Sequence, residues 1–378
     1  MKQFIRRWLG ERLPMDDIEH FVAKQAAKPL PPHVSWFHTF GSMSLFLLAS
    51  QIVTGILLMV YYRPTPEKAF ESVQFITTKA AFGWLIRGLH AWGSTLMILM
   101  LLLHMARTFL MGAYKKPREL TWVIGVLLFG AVITFGFTGY LLPWTQLSYW
   151  GTTIGTEVAG AVPLVGLPLK RLLLGGDAVS GETLSRFYVV HVIVLPWAVM
   201  FLTAVHIVLM RTQGLATMDP VGKEVIPQGK KVIPFWPHHV LKEMVVFSVF
   251  LAIMTTLVIL VPQELHEKAD PLVTPAAIKP EWYILPGYQF LKYFPKMLGL
   301  AVSTIPPLLI LLLPFLDRNP ERRARKRPIC VGLGILTMLA TVLLGLAGHF
   351  SERDVRMFGG KYHFDHYGIP HRAAKAGE

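Results

Sequence analysis

The chain has 378 residues, of which 53% are hydrophobic and 16% charged, with 37 Lys and Arg against 23 Asp and Glu for a formal net charge of +14. That balance excludes an ordinary water-soluble domain and points to a membrane protein. The one cysteine, Cys330, leaves no intrachain disulfide, no zinc or iron–sulfur cluster and no CxxCH haem attachment, so any redox centre held here must use other ligands.

The N-terminal stretch MKQFIRRWLGERL lacks a continuous hydrophobic region and a small-residue cleavage site, so it does not read as a secretory signal. Phe4, Ile5, Trp8 and Leu9 fall on one face of a helix suited to lie on the membrane surface. Seven apolar runs follow, at about 36–60, 84–111, 120–142, 187–210, 240–261, 297–316 and 328–348. Each approaches or exceeds the ~20 residues that cross ~30 Å of hydrocarbon. Two shorter segments, VPLVGLP near Val162 and ILPGYQFLKYF near Ile284, are interrupted by Pro or Lys and read as surface-lying or re-entrant. The fold class expected is all-α, a polytopic membrane protein of seven spans. A polar, Pro- and Gly-bearing connection between spans four and five sets the expected organisation: a four-helix module over 1–214, the connection over 215–236, a three-helix module over 237–350, and a mobile polar tail over 351–378. No internal repeat is visible, which weighs against a transporter built from inverted repeats.

The placement of the basic residues argues against a nucleic-acid partner. Lys115, Lys116 and Arg118 fall between spans two and three, and Lys223, Lys230 and Lys231 between four and five. Arg318, Arg322, Arg323, Arg325, Lys326 and Arg327 fall between six and seven, and Lys2, Arg6 and Arg7 open the chain. If seven helices alternate, all these segments share one side, which the positive-inside rule makes cytoplasmic. The N-terminus is then cytoplasmic, and the membrane is expected to be a bacterial inner membrane. Glu67, Glu71, Glu157, Asp177, Glu264, Glu267 and Asp270 lie in the opposite loops. The tail, with Arg353, Arg356, Arg372 and Lys375, runs against the trend.

Two spans carry histidines, and polar groups inside hydrocarbon usually mark function. His90 and His104 in span two are fourteen residues apart, and His191 and His206 in span four fifteen apart. Either spacing is about four turns, ~21–23 Å of rise, with azimuthal offsets of about −40° and +60°. Spans two and four run in the same direction, so His90 should stand opposite His191 and His104 opposite His206. Two imidazoles facing across a gap suit bis-imidazole ligation of a planar macrocycle, and two b-type haems are expected. Zinc is disfavoured because two histidines per level leave too few ligands. Gly41 and Gly55 in span one, and Gly125 and Gly139 in span three, repeat the fourteen-residue step and would let a porphyrin approach the backbone. Arg87 and Arg107, three residues from His90 and His104, are placed to neutralise haem propionates or to snorkel at helix ends.

These residues resemble the cytochrome b family of quinol-oxidising bc complexes, over nearly the whole chain to about residue 350. The motifs that carry the resemblance are PPHV at Pro31, FGWLIRGLHAW at Phe82, KKPRELTWVIG at Lys115, TGYLLPW at Thr138, SRFYVVH at Ser185 and KPEWY at Lys279. The fifteen-residue step and the PEWY form look like the chloroplast cytochrome bf branch, here with its two b-type subunits fused. The resemblance implies a quinol-oxidising site on the outer face lined by Pro280, Glu281, Trp282 and Tyr283, with Tyr140 in the same pocket. From the residues themselves, Glu281 is a carboxylate at the membrane edge that can take a quinol proton as general base. A quinone-reducing site is implied near the inner haem, where Arg211 is similar in position to an inner-side arginine, although positive-inside charge explains it equally well. Chloroplast-type members attach an extra haem through a cysteine where this chain has Thr39, so no covalent third haem is expected there; His38 beside it reads as a membrane-surface or quinone-side residue. A Rieske-type iron–sulfur subunit, a c-type cytochrome and a homodimeric assembly are the implied partners, with quinone and lipid. Rival readings are a dihaem anchor subunit of a quinone-linked dehydrogenase, which predicts no PEWY element, and a haem-free proton-coupled transporter. HFDHYGIPH, with His363, Asp365, His366 and His371, has metal-like spacing, but a mobile tail lacks the fixed surroundings a metal site needs.

Overall fold

In the computed structural model, residues 1–27, 29–30, 34–224, 233–275, 278–357 and 359–372 are described. Pro31, Pro32 and His33 of the PPHV motif, Lys230, Lys231 and Lys375 lie outside the described residues.

Among the described residues, seven helices are long and apolar enough to cross a membrane: Trp36–Met59, Gly83–Leu110, Glu119–Leu141, Gly181–Gln213, Phe235–Leu260, Lys296–Leu316 and Pro328–Phe350. Large apolar side chains along them, Trp197, Phe201 and Leu336 among them, face outward, as lipid contact requires. The fourth span begins at Gly181, before the expected start, because Ser180 opens it: its N–H donates to Thr183 Oγ1 at 3.0 Å. The fifth opens on a broken turn with Trp236 extended (φ −106°, ψ 137°), and its regular helix, Val240–Leu260, begins where the apolar pattern placed it. The sixth is two pieces, Lys296–Ser303 and Ile305–Leu316, the second led by Pro306 and Pro307, which offer no amide hydrogen to continue the first.

The fourth span also contains a π-helical turn, Val190–Val194, just before Pro196. Proline lacks the N–H that would bond the carbonyl four residues back, so a wider turn at this place costs little. That turn absorbs one extra residue. The fifteen-residue histidine step of span four thereby becomes equivalent to the fourteen-residue step of span two.

The first span packs on the second, the third on the fourth, the fifth on the second and first, and the sixth on the third. A mid-membrane core gathers Met43, Leu47, Met97, Ile98, Val132 and Met254 from four of these spans. A second core lies at the outer end around Leu141, Trp144, Tyr149, Leu184 and Phe187. There the expected surface segment near Val162 is part of a helical pair, Gln146–Gly160 and Gly166–Leu174. The first of these helices starts at a reciprocal cap, in which Ser148 N–H reaches Thr145 Oγ1 at 3.3 Å and Thr145 N–H reaches Ser148 Oγ at 2.9 Å. ILPGYQFLKYF contributes the short helix Leu285–Lys292, packed on the last span.

One expectation is corrected: within its described residues the tail is regular structure, Arg353–Met357, Gly360–Phe364 and Pro370–Arg372 forming a three-stranded antiparallel sheet. Stacking of Phe350 on Phe364 at 5.3 Å and a bond from Tyr293 Oη to Tyr367 O at 2.7 Å dock it on the outer ends of neighbouring helices. Its histidines pair one by one with carboxylates, His363 with Asp354, His366 with Glu352 and His371 with Asp365, and no cluster of three ligands occurs among the described residues. Arg322 and Arg327, which the sequence places among the inner-side charges, are 0% and 2% exposed. They sit in a buried network at the inner ends of the spans.

Candidate functional site

The four histidines come together in two levels inside the bundle of spans one to four. His90 and His191 face one another with ring centres 6.4 Å apart and planes inclined by 67°. His104 and His206 are within electrostatic reach of each other at the second level. Behind each ring stands one of the four glycines. A side chain at Gly41 would meet the His104 ring at 3.0 Å, at Gly55 the His90 ring at 3.4 Å, at Gly125 the His206 ring at 3.2 Å, and at Gly139 the His191 ring at 2.6 Å. The first span thus backs the histidines of the second, and the third span those of the fourth.

Sequence reasoning missed two threonines at the outer level. Thr54 Oγ1 lies 2.9 Å from His90 Nδ1, and Thr138 Oγ1 3.1 Å from His191 Nδ1. The available signal was the dipeptide Thr-Gly, at 54–55 and again at 138–139. Threonine is common in membrane helices, so the signal carries weight only once the glycines are seen to face histidines.

The two arginines differ. Arg87 donates to the carbonyls of Gln263 at 2.8 Å and Glu264 at 3.3 Å, tying down the segment that follows the fifth span. Arg107 keeps its Nε buried with no hydrogen-bond partner among the described residues.

At the outer mouth, the chain between span five and the Pro-Glu-Trp-Tyr turn is strapped across the ends of spans two and three. Trp92 Nε1 donates to Val261 O at 2.9 Å, Gln146 N–H to Glu267 O at 2.8 Å, and Ala269 N–H to Trp144 O at 3.0 Å. Lys279 Nζ fixes the far end by bonding His349 O at 3.0 Å and Ser351 O at 2.5 Å. Pro280 to Tyr283 then turn, with Glu281 O accepting from Ile284 N–H at 2.9 Å and Leu285 N–H at 3.0 Å. Tyr283 lays its hydroxyl end against Gly136, in the same helix as Tyr140, and Trp282 meets Tyr283 edge-on at 5.7 Å. Tyr140, Tyr283 and Glu281 influence one another electrostatically. Burial pushes the Glu281 carboxyl above the ordinary carboxylate range, and the nearby charge of His266 opposes that rise. Burial, then the Glu281 charge, raises the Tyr283 phenol. His266 is a residue the sequence did not single out.

At the inner mouth, a cavity of about 280 Å³ is lined by Leu30, Val34, His238, His239 and Lys242. His239 Nε2 lies 3.2 Å from Glu243, one helical turn on. Arg211 stacks its guanidinium 4.8 Å over the Phe235 ring beside this region, and Lys242 lies 5.0 Å over Trp36. Arg211 was named from the sequence; His239, Lys242 and Glu243 were not, because a basic span end is what topology alone predicts. Thr39 is buried and bonds Trp36 O at 2.6 Å, and His38 Nδ1 accepts from Ser35 N–H at 3.0 Å as part of a helix cap.

A seven-span helical membrane protein with paired, glycine-backed histidines at two depths is the class these observations define. A family model described as cytochrome b/b6/petB matches residues 25–214, and one described as cytochrome b (C-terminal)/b6/petD matches residues 268–364. The cytochrome bc complex cytochrome b subunit of Chlorobaculum thiosulfatiphilum is 41% identical over 331 residues, covering 86% of this chain and 76% of that protein. Cytochrome b of Rickettsia bellii is 36% identical over 374 residues, covering 96% and 92%. A solved chain of a hyperthermophilic respiratory Complex III superposes with a TM-score of 0.82 at 32% identity, covering 93% of this chain and 92% of that one. The chain belongs to the cytochrome b family, with the N-terminal and C-terminal parts fused in one polypeptide.

Cytochrome b proteins bind haem b, and the residues here fit that group. Two iron–nitrogen bonds of about 2 Å and the imidazole radii place bis-ligated ring centres about 6 Å apart, close to the 6.4 Å between His90 and His191. The glycines leave backbone exposed beside each ring, and the buried, unpartnered Arg107 Nε is a donor suited to a carboxylate.

Proposed function

We propose that the chain is the membrane-spanning redox subunit of a quinol:electron-acceptor oxidoreductase, oxidising quinol at the outer mouth and reducing quinone at the inner one, with protons released outside and taken up inside. The observation that carries the reading is the opposed pair His90/His191, with ring centres 6.4 Å apart, repeated one level deeper by His104/His206 and backed at both levels by glycine. His90 and His191 would hold the outer haem b, His104 and His206 the inner one, with Arg107 and Arg87 toward the propionates. Each haem, when bound, supplies a one-electron iron centre, so two of them stacked through the membrane provide a path from one face to the other.

The chain's own side chains do the rest. Glu281, as carboxylate, takes a quinol proton, and its burial keeps its basicity high enough for that task. Tyr140 and Tyr283 wall the same pocket, with Pro280 and Trp282 fixing the turn. At the inner mouth, His239 and Lys242 line the small cavity, with Glu243 paired to His239 and Arg211 nearby over Phe235, a set that suits a polar quinone head. A covalent third haem is not expected at Thr39. Quinol gives up two electrons, and the one not passed inward needs a high-potential acceptor. A Rieske-type iron–sulfur subunit and a c-type cytochrome are therefore the proposed partners, in a homodimeric complex in a bacterial inner membrane with the N-terminus cytoplasmic. Residues 1–214 and 237–350 are proposed as the dihaem module and the quinol-site module.

The test is a haem count on the purified complex, by acid-acetone extraction with a reduced-minus-oxidised spectrum. Two extractable b haems per chain are expected. None would return the chain to a haem-free, histidine-based proton pathway, and a non-extractable haem on this chain would refute the reading of Thr39.

A further inference from the structure

The outer histidines are held from behind by hydroxyl groups whose hydrogen is already committed. Thr54 donates to Ser50 O at 2.7 Å, and Thr138 to Thr134 O at 2.9 Å. A hydroxyl carries one hydrogen and two lone pairs. Toward the imidazoles, at 2.9 Å from His90 Nδ1 and 3.1 Å from His191 Nδ1, both oxygens therefore act as acceptors. Nδ1 must carry the hydrogen in both rings, and Nε2 is left with its lone pair. Thr54 and Thr138 are 6% and 2% exposed, so water does not compete for these bonds.

The inner level is built differently. The residues preceding Gly41 and Gly125 are Phe40 and Ile124, which have no hydroxyl. Thr108, the hydroxyl nearest His104 along its helix, donates to the His104 backbone carbonyl and not to the ring. Among the described residues no hydroxyl bonds the His206 ring; its buried Nδ1 has the backbone of Thr121 as polar neighbour, whereas His90 and His191 have the backbone of Gln51 and Phe135 and, in addition, the threonine hydroxyls. One dipeptide, Thr-Gly, thus does two jobs at the outer level: the glycine opens the wall and the threonine orients the imidazole. Neither job is visible from the histidine spacing alone.

An imidazole whose Nδ1–H is given to an acceptor is a more basic ligand through Nε2. A more basic ligand set stabilises the more positive iron, and hydrogen bonding of this kind is one of the levers that set a haem potential. Resting on the reading that the four histidines hold two haems, we propose that Thr54 and Thr138 are positioning residues: they fix the Nδ1–H tautomer of His90 and His191 and lower the outer haem's potential relative to the inner one. The asymmetry gives the inward electron step its direction, because the centre nearer the quinol-oxidising mouth is then the stronger reductant.

The experiment is a redox titration of both haems in the assembled complex, with low-temperature EPR of the oxidised outer haem, for T54V, T138V and the double variant. Valine keeps the shape and removes the oxygen. The double variant should shift the outer haem's oxidised-to-reduced equilibrium by up to about tenfold, upward by about 59 mV for a one-electron couple, with an altered EPR signal and an unmoved inner haem. T54S and T138S, which keep the hydroxyl, should titrate as wild type. An unmoved outer potential in the valine chains overturns the proposal, as does an equal shift in the serine chains or a common shift of both haems. Should the valine chains lose the outer haem, retention in the serine chains supports the hydroxyl's role, and loss there as well overturns it. Absence of haem from the wild-type complex is a separate result that would sink the functional reading itself.

Discussion

Glu281 is placed where a carboxylate is both costly and useful. It sits between an apolar span and a half-buried turn, beside two phenols, and burial outweighs the nearby His266 charge to raise its pKa. A general base works in its deprotonated form, so a raised pKa moves the acid limb of the rate upward from the ordinary carboxylate value of about 4.3. Pre-steady-state reduction of the outer haem by quinol should therefore fall with acidification above that value in the wild type. In Glu281→Gln it should be slower by about a hundredfold or more, the usual scale for losing a general base, and should lose that acid limb while both haems remain bound. The position of His266 adds a signed check. Removing its positive charge, as His266→Ala, takes away the influence that lowers the Glu281 pKa, so the limb should move to still higher pH. A glutamine variant with wild-type rates would remove Glu281 from the proton path.

At the scale of helices, the match between two spans depends on one irregular turn. The fourteen- and fifteen-residue histidine steps leave offsets of about −40° and +60° if both helices are ideal, too far apart for two square-on pairs. The π turn at Val190–Val194 removes the difference. The histidines and glycines were legible in the sequence because they are rare or small residues at a long repeat. The π turn was not, since Pro196 alone suggests a kink but not which residue is absorbed. Nor were Thr54 and Thr138, because their meaning depends on which ring lies behind them, or the helix Gln146–Gly160, whose mixed polarity follows no membrane pattern. The clearances rank the glycines and give an element-level prediction. A methyl group at Gly139 would press on His191 at 2.6 Å, whereas one at Gly55 would touch His90 at an ordinary 3.4 Å. Gly139→Ala should accordingly lose or distort the outer haem, seen as a depleted or broadened b-type band, while Gly55→Ala keeps it. Equal loss in both would mean that clearance from the histidine is not what these glycines provide.

For the whole molecule, the problem is to keep the first four spans in register with the last three. The outer mouth does this with a strap of backbone bonds and the docked tail sheet. The inner mouth uses buried charge. Asp317, at the end of span six, is 2.7 Å from Lys115 Nζ and 3.5 Å from Arg327, and accepts from the Tyr114 hydroxyl. Arg327 reaches the carbonyls of Phe109 at 3.0 Å and Leu110 at 2.9 Å, and Arg322 those of Gly112 at 3.2 Å and Lys116 at 2.8 Å, with Glu224 at 2.8 Å. The loops after spans two, four and six are thereby one unit. The sequence assigned these arginines only to positive-inside charge, since such charge and a buried staple look alike in composition. Asp317 is the hub, its side chain 7% exposed. Burial alone would raise its carboxyl, but Lys115, Tyr114 and Arg327 together hold it below the usual carboxylate range. Its contribution to stability is then complete above the unfolded value of about 3.9 and is lost only as pH falls through the lower folded value. Asp317→Asn leaves Lys115 and Arg327 buried without their counter-charge, a change that typically costs about 3–5 kcal/mol. The surface pair Lys326–Glu321, at 2.9 Å, is the control, because exposed pairs contribute about 0–1 kcal/mol. Thermal inactivation of the complex should therefore come at clearly lower temperature in Asp317→Asn and at nearly the wild-type temperature in Glu321→Gln. The gap between Asp317→Asn and wild type should stay constant from about pH 5 to 8 and close only below about pH 4. A gap that closed near neutral pH, or an equal loss in both variants, would show that the inner loops are held by something other than this buried hub.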